Sequence, residues 1–188
     1  TNYPKQFVDL DEDFTLFQKT FNRIESFNNK FIKIKEVLIV TNEKYRYLVL
    51  QQLEKLNNNL KFRLILEPIS LNTAPSLTLA SFAAVNSNLV VLPSDHYIKN
   101  DKILISSIHK GIRHLDDHCI FLLGTKPKSN QSSYGYITYT GNETIKDVTG
   151  FVEKPDSNLA HELISNGNSL WNSGIFILKS KTWLNAIS

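Results

Sequence analysis

The segment Leu89–His96, which reads LVVLPSDH, decides the fold class that the sequence predicts. It opens with a run of apolar residues, and a strand without polar alternation is expected to be covered on both faces of its sheet. Pro93 has no N–H to donate, so it ends the strand, and Ser94 and Asp95 follow directly. Ligands of open α/β sheets bind beyond the carboxyl ends of the strands. Two interpretations follow: Asp95 holds a metal ion or a hydroxyl group there, or Ser94 and Asp95 cap the next helix.

Predicted strands alternate with predicted amphipathic helices on both sides of this segment. The strands are expected at 36–41, 62–66, 89–92 and 119–123, and the helices at 14–24, 43–56, 73–86 and 103–115. This alternation predicts βαβ crossovers and a mostly parallel sheet flanked by helices. After Gly124, short strand-like pieces joined by Gly, Asn and Ser predict a small mixed or antiparallel lobe. We therefore expect an α/β, Rossmann-like fold in a single domain over residues 1–188.

Composition excludes several classes of partner. The 188 residues are 41% hydrophobic and 21% charged, which is ordinary for a soluble globular domain. The net charge of +3 comes from scattered Lys and Arg residues, so no nucleic-acid partner is expected. No apolar run has the length of a membrane span, so no membrane partner is expected either. Cys119 is the only cysteine, which rules out an internal disulfide and favours a reducing, cytoplasmic location.

Polar residues that suit a polyhydroxylated ligand follow several of the predicted strands. Tyr134–Tyr136 and Trp171–Gly174 combine glycine with aromatic and amide groups. Glycine allows a ligand to approach the backbone closely, aromatic rings form walls, and Asn supplies both a donor and an acceptor.

Six segments in order carry a resemblance to a known family. The segments EPISLNTAP, VLPSDH, YGYI, FVEKPD and LWNSGIF resemble those of bacterial mannose-1-phosphate guanylyltransferases, which are sugar-1-phosphate nucleotidyltransferases. PKQF, near the start, is similar to the segment that follows the glycine-rich phosphate loop of that family. The resemblance runs from Pro4 to the end of the chain. It implies a nucleotidyltransferase fold, and transfer of GMP from GTP to mannose-1-phosphate to give GDP-mannose and pyrophosphate.

The resemblance also implies a role for each matching residue. Lys5 would face the triphosphate and offset developing charge, and Asp95 would bind the catalytic Mg²⁺. The implied nucleotide-binding residues are Glu67, Asn72, Thr73, Pro75 and Ser94. The implied sugar-phosphate-binding residues are Gly135, Glu153, Lys154, Asn172 and Gly174.

Physical chemistry agrees with this assignment. A phosphate oxygen that attacks the α-phosphorus of GTP needs no general base at neutral pH. The site has to align two polyanions and stabilise charge, and Lys with Mg²⁺ can do both. Mg²⁺ takes few protein carboxylates and completes its shell with phosphate oxygens and water.

The sequence departs from the family pattern in three places. The family's glycine-rich loop would precede Pro4, its second metal-binding aspartate would follow Ser188, and Ser70–Leu71 stands where an arginine is expected before Asn72. These departures predict a chain truncated at both ends, without the first central strand and with little or no transferase activity alone. Three arrangements are possible where the first central strand is expected to be missing: another polypeptide supplies the strand, the sheet closes up, or the gap is a dimer interface. The partner would then be a complementing fragment or a second copy.

Two other functions stay open from the sequence. One is a non-catalytic module, or part of a split enzyme, that binds a sugar phosphate or a nucleotide. The other is a nucleotidyltransferase for a different sugar-1-phosphate, such as glucose-1-phosphate, with UTP or dTTP.

Overall fold

A computed structural model describes residues 3–9 and 14–188. The chain divides into two compact units, the first formed by Thr1–Phe121 with Phe176–Ser188 and the second by Leu122–Ile175. None of the helices in the described ranges is both long enough and apolar enough to cross a membrane. The prediction of a single domain over residues 1–188 stays a prediction.

The elements are as follows. The strands are β1 (Val37–Asn42), β2 (Phe62–Glu67), β3 (Asn88–Val91), β4 (Phe121–Thr125), β5 (Tyr136–Thr140), β6 (Asp147–Val152) and β7 (Ser169–Lys179). The helices are α1 (Leu16–Glu25), α2 (Arg46–Glu54), α3 (Thr73–Ala83), α4 (Asp101–Arg113), α5 (Ser157–Ser165) and α6 (Ser180–Ile187). Two 3₁₀ turns lie at Lys5–Phe7 and Glu43–Tyr45. The alternation of strands and helices up to β4 matches the prediction, whereas α6 was not predicted.

An aromatic core fixes the start of the first unit. Thr15 begins α1 with a capping box, in which its side chain accepts from the Gln18 N–H and the Gln18 side chain accepts from the Thr15 N–H. This cap orients the apolar face of α1 toward β1 and α2. The buried members of the cluster are Phe7, Phe17, Phe21, Ile39, Val49 and Leu53. Phe7 thereby ties the short turn Lys5–Phe7 to the sheet.

The first unit contains two separate strand pairs. β1 and β2 are parallel, in register from Val37↔Phe62 to Asn42↔Glu67. β3 is antiparallel to the end of β7, from Asn88↔Lys179 to Val91↔Phe176. Among the described residues, β1 pairs only with β2 and β3 only with β7. The described residues therefore show no pairing between β1 and β3, and the three arrangements expected around the predicted gap stay predictions.

The α/β class is confirmed, but the sheet is less parallel than predicted. Gly174–Leu178 was expected to belong to the added lobe, whereas the end of β7 returns to pair with β3. The strand register that the structure gives is parallel for β1–β2 and antiparallel for the pairs of β3, β5, β6 and β7. An apolar run such as Leu89–Leu92 predicts burial but not strand direction, because direction depends on which strand pairs with it.

The second unit is the antiparallel lobe that the turn-rich sequence predicts. β5 lies between β6 and the start of β7, and β4 also pairs with β7. Its core is formed by Tyr136, Ala160 and Leu163, with Trp171 packed against them. The helix α5 supplies two of those core residues and is capped by Asp156, which accepts from the Asn158 and Leu159 N–H groups.

Candidate functional site

Ser94 and Asp95 do not cap a helix. α4 begins at Asp101, and its cap is Asn100, whose side-chain oxygen accepts from the Ile103 N–H at 3.2 Å. Ser94 and Asp95 instead lie in a turn directly after β3. The capping interpretation was wrong, because the helix starts several residues later than the strand end.

Lys5 and Asp95 meet at this turn. Lys5 Nζ lies 2.7 Å from Asp95 Oδ2, with side chains that are 74% and 28% exposed. The Lys5–Phe7 turn is held by a hydrogen bond from the Phe7 N–H to Pro4 O and by the buried Phe7 ring. Two residues from distant segments are therefore brought together, as an ion pair that water and ligands can still reach.

His96 is the nearest titratable neighbour of that pair. Its Nε2 lies 4.0 Å from Asp95 Oδ1. Burial lowers the pKa of His96 below its ordinary value of 6.5, and the Asp95 carboxylate partly opposes this shift. The Lys5 and Arg23 charges lower the pKa further, so His96 is neutral at physiological pH.

Asp95 is the candidate metal ligand. Within residues 3–9 and 14–188, no group of three His, Cys, Asp or Glu side chains is placed to hold a metal ion. A partly exposed carboxylate with hard oxygen atoms still suits Mg²⁺, which accepts a single protein carboxylate when phosphate oxygens and water supply the remaining ligands. The donor chemistry at Asp95 therefore fits that ion, with Lys5 as the present partner of the same carboxylate.

Ser76, which the sequence did not single out, fixes the loop after β2 by bonding to the buried residue Glu67. Glu67 is only 7% exposed. Ser76 Oγ lies 2.6 Å from Glu67 Oε1 and 2.9 Å from Asn72 O, so the single hydroxyl proton of Ser76 is shared between two acceptors. Ser76 thus links Glu67 to the first turn of α3. A lone serine in the first turn of a predicted helix gave no signal of this contact in the sequence.

Asn72 carries backbone strain. Its φ of 69° and ψ of −164° fall in a region that is almost exclusive to glycine, at a cost of about 1–3 kcal/mol. Its side chain is exposed and makes no cap hydrogen bond to α3. Strain of this kind persists where the surroundings impose it, most often at ligand sites.

A cavity opens beside this loop, at the carboxyl ends of β1 and β2. Its volume is about 640 Å³, and it is lined by Asn42, Glu43, Lys44, Pro68, Ile69 and Ser70. Ligand sites of open α/β sheets lie at this position. Thr73 and Pro75 belong to the first turn of α3, where the missing N–H of Pro is tolerated. The sequence pointed to this loop but not to Asn42, at the end of β1, or to Lys44, in the 3₁₀ turn that follows it.

In the second unit, strand register aligns three of the predicted motifs. Tyr136 pairs with Val152 on β6 and with Trp171 on β7. Each partner is adjacent in sequence to a predicted site residue, so Gly135, Glu153 and Asn172 share one end of the lobe. We call Gly135, Glu153, Lys154, Asn172 and Gly174 the lobe cluster.

Hydrogen bonds and close packing hold the lobe cluster. The Asn172 N–H donates to Gly135 O at 2.8 Å, and the Gly174 N–H donates to Asn172 Oδ1 at 3.0 Å. No hydrogen bond of the Asn172 side-chain NH₂ is found among the described residues. A Cβ on Gly135 would lie 2.7 Å from Phe151 Cζ and 2.9 Å from Glu153 Oε2, so only glycine fits without displacement. The φ of 67° at Gly174 also favours glycine.

Lys154 repeats the strain seen at Asn72. It has a φ of 46°, in the left-handed region, and its Nζ lies 2.8 Å from Glu153 Oε1. Both side chains are more than half exposed, so this ion pair adds little to stability. The remaining non-glycine residue with positive φ in the described ranges is Asn86, in a turn. Two of the three strained positions are therefore predicted site residues.

Trp171 borders the lobe cluster. Its ring lies edge-on to that of Tyr134 at 5.0 Å, and its indole N–H is buried without a hydrogen-bond partner among the described residues. A buried donor without a partner is costly. A bound molecule or water would supply the missing acceptor.

The sequence of this chain is similar to a family of known proteins. The family model described as nucleotidyl transferase matches residues 1–186. The chain belongs to the nucleotidyl transferase family. This confirms the resemblance that the six segments carried, and with it the nucleotidyltransferase fold.

Individual members of the family give the relationship more detail. The chain is 32% identical to a putative mannose-1-phosphate guanylyltransferase of Vibrio cholerae, over 98% of this chain and 40% of that protein. It is also 32% identical to a mannose-1-phosphate guanylyltransferase of Escherichia coli, over 99% of this chain and 40% of that protein. A crystal structure of mannose-6-phosphate isomerase from Helicobacter pylori superposes with a TM-score of 0.87 and 31% identity, over 98% of this chain and 70% of that one. The chain thus spans about 40% of the length of these two curated relatives.

Proposed function

We propose that this protein is a mannose-1-phosphate guanylyltransferase, which transfers GMP from GTP to mannose-1-phosphate. The observation that carries the proposal is the 2.7 Å contact between Lys5 and Asp95, the two residues to which the family resemblance gives catalytic roles. The identities of 32% to guanylyltransferases of Vibrio cholerae and Escherichia coli support the choice of substrates.

The first unit would bind the nucleotide. Its candidate groups are Lys5, Glu67, Asn72, Thr73, Pro75, Ser94 and Asp95. Lys5 is exposed enough to leave Asp95 and contact a triphosphate. Glu67 is buried against Ser76, so its role would be to hold the loop around Asn72. The strain at Asn72 supports a ligand there.

The lobe cluster would bind the sugar phosphate. Glu153 offers carboxylate oxygens to sugar hydroxyls, Lys154 offers a cation to the phosphate, and Asn172 offers an amide NH₂. Gly135 and Gly174 leave room for the ring. The indole N–H of Trp171, which has no hydrogen-bond partner among the described residues, is a further donor that a sugar oxygen would satisfy.

In the proposed reaction, a phosphate oxygen of mannose-1-phosphate forms a bond to the α-phosphorus of GTP. The bond between that phosphorus and the oxygen bridging to the β-phosphate breaks, and pyrophosphate leaves. Lys5 would offset the negative charge that builds on the phosphates in the transition state. Nucleotidyl transferases generally use a divalent metal ion. We propose Mg²⁺ held by Asp95, where it would neutralise phosphate charge.

The proposal includes a cytoplasmic location and an assembly with a second polypeptide. A reducing cytoplasm fits the single free thiol of Cys119. A second copy or a complementing polypeptide would supply strand partners to β1 and β3, each of which has one partner among the described residues.

The test is a product analysis of the full-length gene product by ³¹P NMR. It is supplied with Mg²⁺ and with GTP, UTP or dTTP, each paired with mannose-1-phosphate or glucose-1-phosphate. We expect GDP-mannose and pyrophosphate in equal amounts from GTP with mannose-1-phosphate, and little from the other pairs. UDP-glucose as the main product would contradict the substrate assignment. In a parallel reaction supplied with mannose-6-phosphate, conversion to fructose-6-phosphate, together with no nucleotide product in the other reactions, would favour the activity named for the Helicobacter pylori protein instead.

A further inference from the structure

One face of α4 concentrates positive charge that the sequence did not reveal. A cavity of about 420 Å³ in the first unit is lined by Lys102, Ile105, Ser106, His109, Lys110, Arg113 and His114. Lys102, Ser106 and Lys110 follow one another at intervals of four residues, and Arg113 lies three residues beyond Lys110. These spacings place the four side chains on one helix face. The lining contains no carboxylate.

The loop before β1 enlarges this basic face. His109 Nε2 donates to Phe27 O at 2.8 Å, and its Nδ1 accepts from Asn29 Nδ2 at 3.3 Å. These bonds hold the loop against α4, and the Arg113 guanidinium lies 6.0 Å from the centre of the Phe31 ring. The loop carries three exposed lysines: Lys30, Lys33 and Lys35. Cations from two segments that are distant in sequence thus share one surface.

These cations are not neutralised within the described part of the chain. No carboxylate there lies within 4.0 Å of the charged atoms of Lys102, Lys110 or Arg113. The acidic residues near these segments in sequence are engaged elsewhere. Asp116 Oδ1 accepts from the His118 N–H at 2.8 Å, and Asp117 pairs with Lys179 at 2.7 Å. Asp101 pairs with Arg23 at 2.6 Å, and Glu36 forms two hydrogen bonds with Arg63.

The helix dipole explains only part of this arrangement. Cations are favourable at the carboxyl end of a helix, which accounts for Lys110 and Arg113. Lys102 lies in the first turn of α4, where the same dipole disfavours a cation. A row of donors that runs from one end of the helix to the other instead suits a ligand that has only acceptors.

We propose that this face of α4 binds a small anion with two linked phosphoryl groups, such as pyrophosphate or a nucleoside diphosphate. Lys102, Ser106, Lys110 and Arg113 all donate hydrogen bonds, and phosphoryl oxygens only accept them. The row from Lys102 to Lys110 extends about 12 Å along the helix, so one phosphoryl group reaches only part of it. The site goes beyond the proposed transferase function and does not depend on it.

The experiment is a titration of the ¹⁵N-labelled chain with sodium pyrophosphate, orthophosphate and GDP, followed by amide NMR. We expect saturable shifts at Ser106–His114, with pyrophosphate and GDP binding more tightly than orthophosphate. The double variant Lys110→Gln/Arg113→Gln should lower the affinity about tenfold or more, because it removes two charge-assisted donors. Lys55→Gln, which removes another lysine at a helix carboxyl end, is the matched control and should change nothing.

Several results would overturn the proposal. Shifts confined to the surroundings of Lys5 and Asp95 would place the anion at the proposed nucleotide site instead. An unchanged affinity in Lys110→Gln/Arg113→Gln, or no saturable shift with any of the three anions, would rule out the α4 site. If the double variant fails to fold, Lys102→Gln, at an exposed position, tests the same row. Lys5→Ala should leave binding at α4 intact, so failure of the transferase proposal and failure of this one are separable.

Discussion

Lys5 Nζ lies 2.7 Å from Asp95 Oδ2, although the two residues belong to different segments of the chain. An exposed pair of this kind contributes little to stability, typically about 0–1 kcal/mol. Its value lies in placing a cation and a carboxylate at one point just beyond β3, where an open α/β sheet binds ligands.

Replacement of Lys5 tests the catalytic role proposed for that residue. In the full-length gene product used for the product analysis, Lys5→Ala should lower kcat/KM for GDP-mannose formation about a hundredfold, because it removes a positive charge directed at the developing phosphate charge. The melting temperature should not change, since the Lys5 side chain is 74% exposed and Phe7 anchors the turn. Lys126→Ala, at another exposed lysine, is the control. Equal rates in the two variants would show that Lys5 is a surface residue.

Replacement of Gly135 tests the proposal that the lobe cluster binds the sugar phosphate. Gly135→Ala would place a methyl group within 3 Å of Phe151 Cζ and Glu153 Oε2, the ends of two exposed side chains, so both would have to move from their positions beside the lobe cluster. We expect the affinity for mannose-1-phosphate, measured by calorimetry, to fall about tenfold or more. Gly141→Ala is the control: it has no neighbour within 4 Å but a φ of 89°, so it should lose stability and keep its affinity. Full affinity in Gly135→Ala would place the sugar elsewhere.

Thr15 tests the packing that holds the first unit together. Its hydroxyl caps α1 and donates to Gln52 Oε1 at 2.7 Å from a buried position. Thr15→Ala should lower the free energy of unfolding by about 1–2 kcal/mol in urea, because the cap and a buried hydrogen bond are lost together. Thr15→Ser, which keeps the hydroxyl, should lose less. An equal loss in the two variants would assign the effect to the methyl group.

Replacement of Lys179 tests the ion pair that joins the end of β7 to Asp117, in the loop after α4. A hydrogen bond from Lys179 Nζ at 2.7 Å, together with that positive charge, holds the pKa of Asp117 below its ordinary 3.8. The ionised carboxylate therefore stabilises the fold above pH 3.8, and this contribution is lost as the pH falls further. Lys179→Met should raise the pKa of Asp117 in an NMR titration, and Lys181→Met should raise it less. A pKa unchanged by Lys179→Met would exclude the pairing in solution.

The sequence predicted most of the elements but not their pairing. Leu89–Leu92 and Val37–Val40 were recognisable as strands from their apolar runs. The return of β7 to β3 was not predictable, because strand pairing depends on contacts between distant segments. The motif residues Gly135, Glu153 and Asn172 do meet, whereas Ser76 was missed because a lone serine on a helix carries no pattern. The basic face of α4 was also missed, although Lys102, Lys110 and Arg113 recur at helical spacing within one segment. Only the contact of this helix with the loop before β1 could not be read from the sequence.

Addition of mannose-1-phosphate to the ¹⁵N-labelled 188-residue chain tests the central claim most directly. We expect saturable amide shifts at Gly135, Glu153, Lys154, Asn172 and Gly174, together with a shift of the Trp171 indole N–H as it gains an acceptor. Glucose-1-phosphate should bind more weakly at the same residues. Shifts at other residues only, or equal binding of the two sugar phosphates, would contradict the assignment of the lobe cluster to mannose-1-phosphate.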